Sequence, residues 1–126
     1  MTAVLDSGGV SALATQRARL AEMRRAGEWP PQVPAVVLVE ALTGDHRRDF
    51  QANKLLRLCQ VRPVTELHAR TGARLRGSLA EPGSVSAVDA TVAAFAATIP
   101  DAVVVTSDPR DLSALLEGTS ARVAAV

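Results

Sequence analysis

The sequence predicts an α/β fold: a short, mostly parallel central sheet flanked by helices in an α/β/α sandwich. Two observations predict this fold. The first is that short apolar segments alternate along the chain with longer segments of helical periodicity, and the second is that Gly, Pro, Ser or Asp residues separate these segments. The length of 126 residues suits one domain of ordinary size. We therefore expect residues 1–126 to form a single domain.

Apolar periodicity and turn residues place the individual elements. The predicted strands are residues 3–5, a very short one near 33, 61–64, 102–106 and 121–126. The predicted helices are residues 10–26, a short one after 33, 45–58, 65–79, 86–98 and 107–118. Strands are assigned to short runs rich in Val and Ala, and helices to longer stretches that end near Gly or Pro. Phe50 and Phe95 are assigned to the core.

Residues 33–42 are the ambiguous segment of the chain. Their β-branched content favours a strand, whereas Pro34 suits the start of a helix and Gly44 its end. We interpret the segment as a very short strand near Val33, followed by a helix that carries Glu40.

Composition and charge exclude several classes of protein. Hydrophobic residues make up 48% and charged residues 21%, as in an ordinary globular protein. The net charge of +1 gives no general attraction to nucleic acid, so such binding requires local patches. A single cysteine, Cys59, excludes an internal disulfide and a cysteine-based zinc site. No apolar run approaches the roughly 20 residues of a membrane helix, and the first residues lack signal-peptide character, so we expect a cytoplasmic protein without a membrane partner.

Four acidic residues stand where an α/β fold places its ligands. Asp6 and Asp108 directly follow predicted strands, and the carboxyl ends of parallel strands line the ligand crevice. Asp89 lies in the first turn of an apolar helix, and Glu40 is embedded in an apolar run. Structural roles stay open for each of them. The three aspartates suit helix caps, and Glu40 suits an exposed position on an amphipathic helix.

If the four carboxylates converge, they require compensation. Two like charges 4 Å apart repel by about 4 kcal/mol at an effective dielectric constant of 20. Mg²⁺ and Mn²⁺ prefer oxygen ligands and are held by carboxylates together with water and phosphate. An ion in such a site activates water and stabilises the leaving oxygen, so the cluster indicates phosphodiester hydrolysis.

The chain resembles the PIN-domain ribonucleases, specifically the VapC toxins of bacterial type II toxin–antitoxin pairs. The resemblance covers nearly the whole chain and depends on four motifs in the family's order. They are residues 4–7 (Val-Leu-Asp-Ser), 36–44 (Val-Val-Leu-Val-Glu-Ala-Leu-Thr-Gly), 85–90 (Val-Ser-Ala-Val-Asp-Ala) and 105–112 (Val-Thr-Ser-Asp-Pro-Arg-Asp-Leu).

The resemblance implies a PIN-like fold, a metal-dependent endoribonuclease activity on RNA and a set of site residues. The matching acids, which would bind Mg²⁺ or Mn²⁺ and carry catalysis, are Asp6, Glu40, Asp89 and Asp108. Thr106, Ser107 and Asp111 match positions that support the metal ligands. The family also implies a homodimer and a cognate antitoxin, VapB-like, that blocks the crevice. The chain departs from the family at Gly8, where members often carry Ser or Asn, and we expect altered tuning rather than loss of activity.

Arginines near the acids are the candidates for RNA binding. Arg70 and Arg74 are four residues apart and share a helix face, where they suit contacts with RNA phosphates. The alternative for each is a solvated helix face.

Two rival functions remain to be weighed. Other acidic α/β domains fit poorly: a phospho-receiver domain needs a lysine after a late strand, but the only lysine is Lys54, and a dehalogenase-type phosphatase needs an acid where Gly8 stands. The second rival is a non-catalytic PIN-like module that binds RNA or a partner protein without cutting.

Overall fold

The computed structural model describes residues 1–126 and contains five strands and seven α-helices. The strands are β1 (Thr2–Leu5), β2 (Gln32–Pro34), β3 (Gln60–Arg62), β4 (Ala102–Thr106) and β5 (Arg122–Ala125). The helices are α1 (Ser7–Leu13), α2 (Arg17–Arg25), α3 (Leu38–Ala41), α4 (Phe50–Leu56), α5 (Glu66–Gly77), α6 (Ala87–Ala97) and α7 (Pro109–Leu116). Short 3₁₀ turns at Ala35–Val37 and Pro82–Ser84 precede α3 and α6.

The five strands form one sheet in the order β3-β2-β1-β4-β5, and every neighbouring pair is parallel. The chain leaves β1 toward β2 on one side and returns from β3 to β4 on the other side of β1. The strand order therefore reverses between β1 and β4, and the carboxyl ends of these two strands flank the crevice that open α/β sheets use for ligands. The predicted α/β/α sandwich with a parallel sheet is confirmed.

Two groups of helices cover the sheet. Helix α1 contacts α2, α3 and α4, and α5, α6 and α7 form the second group. The core between them consists mainly of small and branched side chains, with β1 and β4 almost completely buried. Continuous burial of both strands explains the apolar runs over residues 3–5 and 102–105. None of the helices is long and apolar enough to span a membrane.

Three details of the sequence interpretation are wrong. The helix predicted over 45–58 is shorter, Phe50–Leu56, and residues 46–49 form a turn before it. The predicted helix 10–26 is two helices, because the chain leaves helical geometry at Gln16 (φ −117°, ψ 74°). Phe50 is not in the core; it is 56% exposed at the first position of α4, which buries Leu55 and Leu56. Five residues at 100° each place Leu55 about 140° around the helix from Phe50, so the two side chains face different directions. The interpretation of residues 33–42 is confirmed, with Glu40 on α3.

Asp49 anchors the loop that separates α3 from α4. Its buried carboxylate accepts hydrogen bonds from Thr43 N (2.9 Å), Thr43 Oγ1 (2.9 Å) and Gly44 N (2.8 Å). These bonds, led by the one from the Thr43 backbone, lower the pKa of Asp49. Asp49 was not among the residues predicted from the sequence to have a role. The anchored loop fixes where α3 ends, and α3 carries Glu40.

Candidate active site

Asp6 lies at the carboxyl end of β1, beside the end of β4. The two strands pair in register from Thr2 with Ala102 to Leu5 with Val105, which brings the following residues, Asp6 and Thr106, side by side. Thr106 Oγ1 donates to Asp6 Oδ2 at 2.5 Å, and Gly9 N donates to Asp6 Oδ1 at 2.7 Å. With both oxygens bonded and only 6% of the residue exposed, the Asp6 carboxylate is held in one orientation.

Two glycines allow α1 to begin against the end of β4. A Cβ atom on Gly9 would collide with the backbone oxygen of Val105, and one on Gly8 would collide with Ser107 Oγ. Asp6 is the N-cap of α1, and its side chain accepts the Gly9 N–H that needs a partner at the helix start. The cap role and the position in the crevice therefore coexist in one residue.

Glu40 reaches the same region from α3. The side chain is exposed, and Ser7 Oγ donates to Glu40 Oε1 at 3.4 Å. Helix α1 contacts α3, so the residue after Asp6 and the carboxylate of Glu40 become neighbours although 33 positions separate them. Because the side chain faces solvent, the carboxylate is not buried within its apolar run.

Asp89 lies half-buried in the first turn of α6, after the N-cap Ser86, whose hydroxyl accepts from Asp89 N at 3.0 Å. Burial raises the pKa of Asp89, and the nearby negative charges of Asp6, Glu40 and Asp111 raise it further. A hydrogen bond with Ser86 acts in the opposite direction and lowers this pKa. Acids from four separate elements therefore share one electrostatic region. We call Asp6, Glu40, Asp89 and Asp111 the acidic quartet.

Asp108 and Asp111 occupy different positions around α7. Asp108 is the N-cap: its carboxylate accepts from Arg110 N at 3.4 Å, and its own N–H donates to Thr106 Oγ1 at 3.1 Å. The cap interpretation of Asp108 is confirmed, and its role as a metal ligand stays a prediction. Asp111 lies one turn further on, half-buried, and its charge acts on Asp89. The family resemblance implied only that Asp111 supports the metal ligands.

No three Asp, Glu, His or Cys side chains are arranged to hold a metal ion in this conformation. The quartet consists entirely of hard oxygen donors, which suits Mg²⁺ or Mn²⁺ rather than softer metals. The donor chemistry therefore fits these ions, and the roles of Asp6, Glu40 and Asp89 as ligands stay predictions.

The candidate RNA-binding arginines lie on α5. Arg70 Nε pairs with Glu66 Oε2 at 2.7 Å on an exposed face, in the i,i+4 spacing of a solvated helix. Arg74 is also exposed. The ion pair favours the solvated-face interpretation for Arg70, and RNA binding by either residue stays a prediction.

Replacing Asp89 with Asn should stabilise the metal-free protein near neutral pH. Because its folded-state pKa is raised, the charged carboxylate opposes folding, and this penalty grows as pH rises from the ordinary value through the raised one. We expect the melting temperature of Asp89→Asn to rise by about 2–4 °C at pH 7, since solvent screens the half-exposed group. The gain should vanish below the ordinary pKa of aspartate. Thermal scans in EDTA at several pH values measure it, and a variant less stable than wild type at pH 7 would contradict the assignment.

Comparison with solved structures finds the same fold in VapBC proteins. One chain of the DNA-bound VapBC structure from Salmonella typhimurium aligns over 99% of this chain and 98% of its own, with a TM-score of 0.73 and 17% identity. A chain of VapBC2 from Rickettsia felis, bound to a promoter DNA fragment, covers 100% and 99% with a TM-score of 0.73 and 12% identity. PAE2754 from Pyrobaculum aerophilum covers 98% and 83%, with a TM-score of 0.61 and 19% identity. No protein-family model and no curated protein sequence matches the chain.

The parallel sheet, its strand order and these structural neighbours define a PIN-like α/β/α fold. The fold is the one found in chains of the VapBC structures, so the resemblance that the four sequence motifs indicated is confirmed for the fold.

Proposed function

We propose that the chain is a metal-dependent endoribonuclease and the toxin component of a toxin–antitoxin pair. The observation that supports this proposal is the acidic quartet, which lies where the strand order of a PIN-like sheet reverses. The charged form of Asp89 is unfavourable for the fold alone, because burial and the nearby carboxylates raise its pKa. A divalent cation and a phosphodiester substrate would account for an acid at this position.

The residues of the quartet differ in how firmly they are held. Asp6 is fixed by Thr106 and Gly9, so it would hold an ion without reorganising. Glu40 is exposed and Asp89 half-buried, so both have room to rotate toward a common ion once its charge offsets their repulsion. When bound, Mg²⁺ or Mn²⁺ would supply an activated water and stabilise the leaving oxygen. Either Asp111 or Asp108 completes the donor set, and the charge of Asp111 on Asp89 favours Asp111.

A separate groove supports the proposed antitoxin partner. It has a volume of about 720 Å³, lies between α1, α2 and α4, and is lined by apolar side chains that include Leu20, Leu55 and Leu58. Its basic side chains are Arg17, Arg24, Lys54 and Arg57, and the Arg24 guanidinium lies 5.3 Å from the centre of the Trp29 ring. A groove that combines apolar and cationic side chains suits an amphipathic segment that carries acidic residues. The Salmonella and Rickettsia structures are of VapBC proteins, which agrees with a VapB-like partner here.

Cleavage and metal binding are tested together on the purified chain without antitoxin. We expect single-stranded RNA to be cut internally in millimolar Mn²⁺ or Mg²⁺ and to stay intact in EDTA. We also expect Mn²⁺ to raise the melting temperature, because an ion that binds only the folded chain stabilises it. NaCl at the same ionic strength serves as the control for nonspecific ionic effects.

The alternative is a PIN-like module that binds RNA or a partner without cutting. The absence of a ready three-residue metal group in this conformation is the observation that favours it. It predicts RNA binding that EDTA leaves unchanged, no cleavage at any metal concentration and no thermal shift with Mn²⁺. That combination would refute the nuclease proposal.

A further inference from the structure

A cleft lined by serine hydroxyl groups opens beside the acidic quartet. It has a volume of about 480 Å³ and is formed by Ser7, Gly8, Ser11, Ala12, Glu40 and Ser107. Helix α1 supplies four of these residues, α3 supplies Glu40, and the loop between β4 and α7 supplies Ser107. Ser7 and Ser11 are four positions apart, so they lie on one face of α1. We call this feature the serine cleft.

The absence of a side chain at Gly8 shapes the cleft. A Cβ atom there would collide with Ser107 Oγ and would lie 3.2 Å from Ser107 N. Ser107 is exposed, but its side chain rests directly on the backbone of α1. The departure from the family pattern at position 8 thus lets the Ser107 hydroxyl occupy the space beside Ser7 and Ser11.

Arg19 supplies a positive charge near the carboxyl ends of the strands. Arg19 of α2 is half-buried, and its Nη2 donates to the backbone oxygen of Ala125 at 3.5 Å. Ala125 pairs with Thr106, the residue before Ser107, which places Arg19 at the carboxyl ends of β4 and β5. The Glu40 carboxylate is on the α3 side of the cleft and accepts from Ser7. The cleft therefore combines hydroxyl donors with a carboxylate acceptor, and Arg19 is a cation at the carboxyl ends of the neighbouring strands.

We propose that the serine cleft binds the ribose and phosphate of the nucleotide next to the cleaved bond. This inference rests on the proposed RNA substrate. The phosphate takes hydrogen bonds from Ser11 and Ser107. The ribose 2′-hydroxyl donates to Glu40 and contacts Ser7. The 2′-hydroxyl, both donor and acceptor, distinguishes RNA from DNA. The serines act as binding residues, and the arrangement selects RNA through its backbone rather than through its bases.

The test compares Ser11→Ala, Ser107→Ala and their combination in the full chain. KM and kcat for a single-stranded RNA are measured in Mn²⁺, and the Kd for the same RNA is measured in an Asp6→Asn background, where cutting is blocked. We expect KM and Kd to rise about fivefold to tenfold for each lost hydroxyl, because hydrogen bonds to charged groups are strong. We expect kcat to change less than twofold in Ser11→Ala, because Ser11 is not among the residues that support the metal ligands. Ser113→Ala on α7, outside the cleft, is the matched control and should leave KM, kcat and Kd unchanged.

The outcomes separate this inference from the proposed function. RNA cleavage with KM and Kd unchanged in the double variant would overturn the serine cleft and leave the nuclease intact. A fall in kcat alone would overturn it as well, because a binding subsite acts on KM. If the wild-type chain binds RNA without cutting, the nuclease proposal fails while the Kd series still decides the cleft. If it binds no RNA, both proposals fail.

Discussion

Replacing Asp6 with Asn should reduce RNA cleavage in Mn²⁺ about a thousandfold, equivalent to about 4 kcal/mol of transition-state stabilisation. Asp6 is the member of the acidic quartet whose two carboxyl oxygens are both fixed, by Thr106 Oγ1 and Gly9 N. An amide keeps the shape of the side chain, accepts from Gly9 and donates to Thr106, so we expect the fold to persist. It removes the negative charge that would hold a divalent cation. Cleavage rates under single-turnover conditions measure the effect.

A matched substitution at the opposite ends of the strands is the control for the change from Asp to Asn. Asp101 precedes β4, pairs with the Met1 amino group and with Arg122, and lies at the amino ends of the strands. We expect Asp101→Asn to cut RNA at the wild-type rate. Equal cleavage by Asp6→Asn and wild type would refute a mechanism centred on Asp6.

Replacing Gly9 with Ala should destabilise the protein by about 3 kcal/mol, at the upper end of overpacking in a well-packed interior. A Cβ atom at this position would collide with the backbone oxygen of Val105 in β4. Since a strand backbone in the middle of the sheet has no rotamer to change, α1 must shift away from β4. That shift also breaks the bond from Gly9 N to Asp6, so activity should fall with stability. Urea or thermal unfolding measures the loss, which corresponds to a fall of roughly 10 °C or more in melting temperature.

Gly77 provides the control for a glycine-to-alanine change. It is the last residue of α5, and a Cβ atom there would meet nothing within 4 Å. Alanine should leave stability unchanged or raise it by about 0.4–1 kcal/mol, because it restricts the unfolded chain. If Gly9→Ala and Gly77→Ala change the free energy of unfolding by the same amount, the close approach of α1 to β4 is not a constraint on this fold.

Much of the fold follows from local sequence. Strands β1 and β4 contain the apolar runs 3–5 and 102–105 because they are buried on both faces, and such runs are visible without a structure. Helices α5 and α6 end within two residues of their predicted bounds, because caps such as Thr65 and Ser86 are local signals. The break near Gln16 and the exposure of Phe50 escaped prediction, since both depend on how one helix sits against its neighbours.

The acidic residues of the candidate site could be picked out from the sequence, but how they are arranged in space could not. Asp6 could be assigned to the end of a strand, yet its bond to Thr106, 100 residues away, depends on the pairing of β1 with β4. Asp108 was ranked above Asp111 because it follows a strand directly. The structure shows Asp108 as a helix cap and places the charge of Asp111 near Asp89. Which residue of a first helical turn faces a crevice depends on the angle at which the helix leaves the sheet, and sequence spacing does not encode that angle.

Local signals in the sequence are sufficient to predict an α/β domain with acids at the ends of its strands, because hydrophobic periodicity, caps and turn residues act over a few positions. The folded chain is needed to see that β1 lies beside β4, that Gly8 and Gly9 allow α1 to approach that strand, and that a serine cleft opens next to the acids. These features come from contacts between residues distant in the chain. Their free energy depends on the packing of whole elements, and no single segment specifies it.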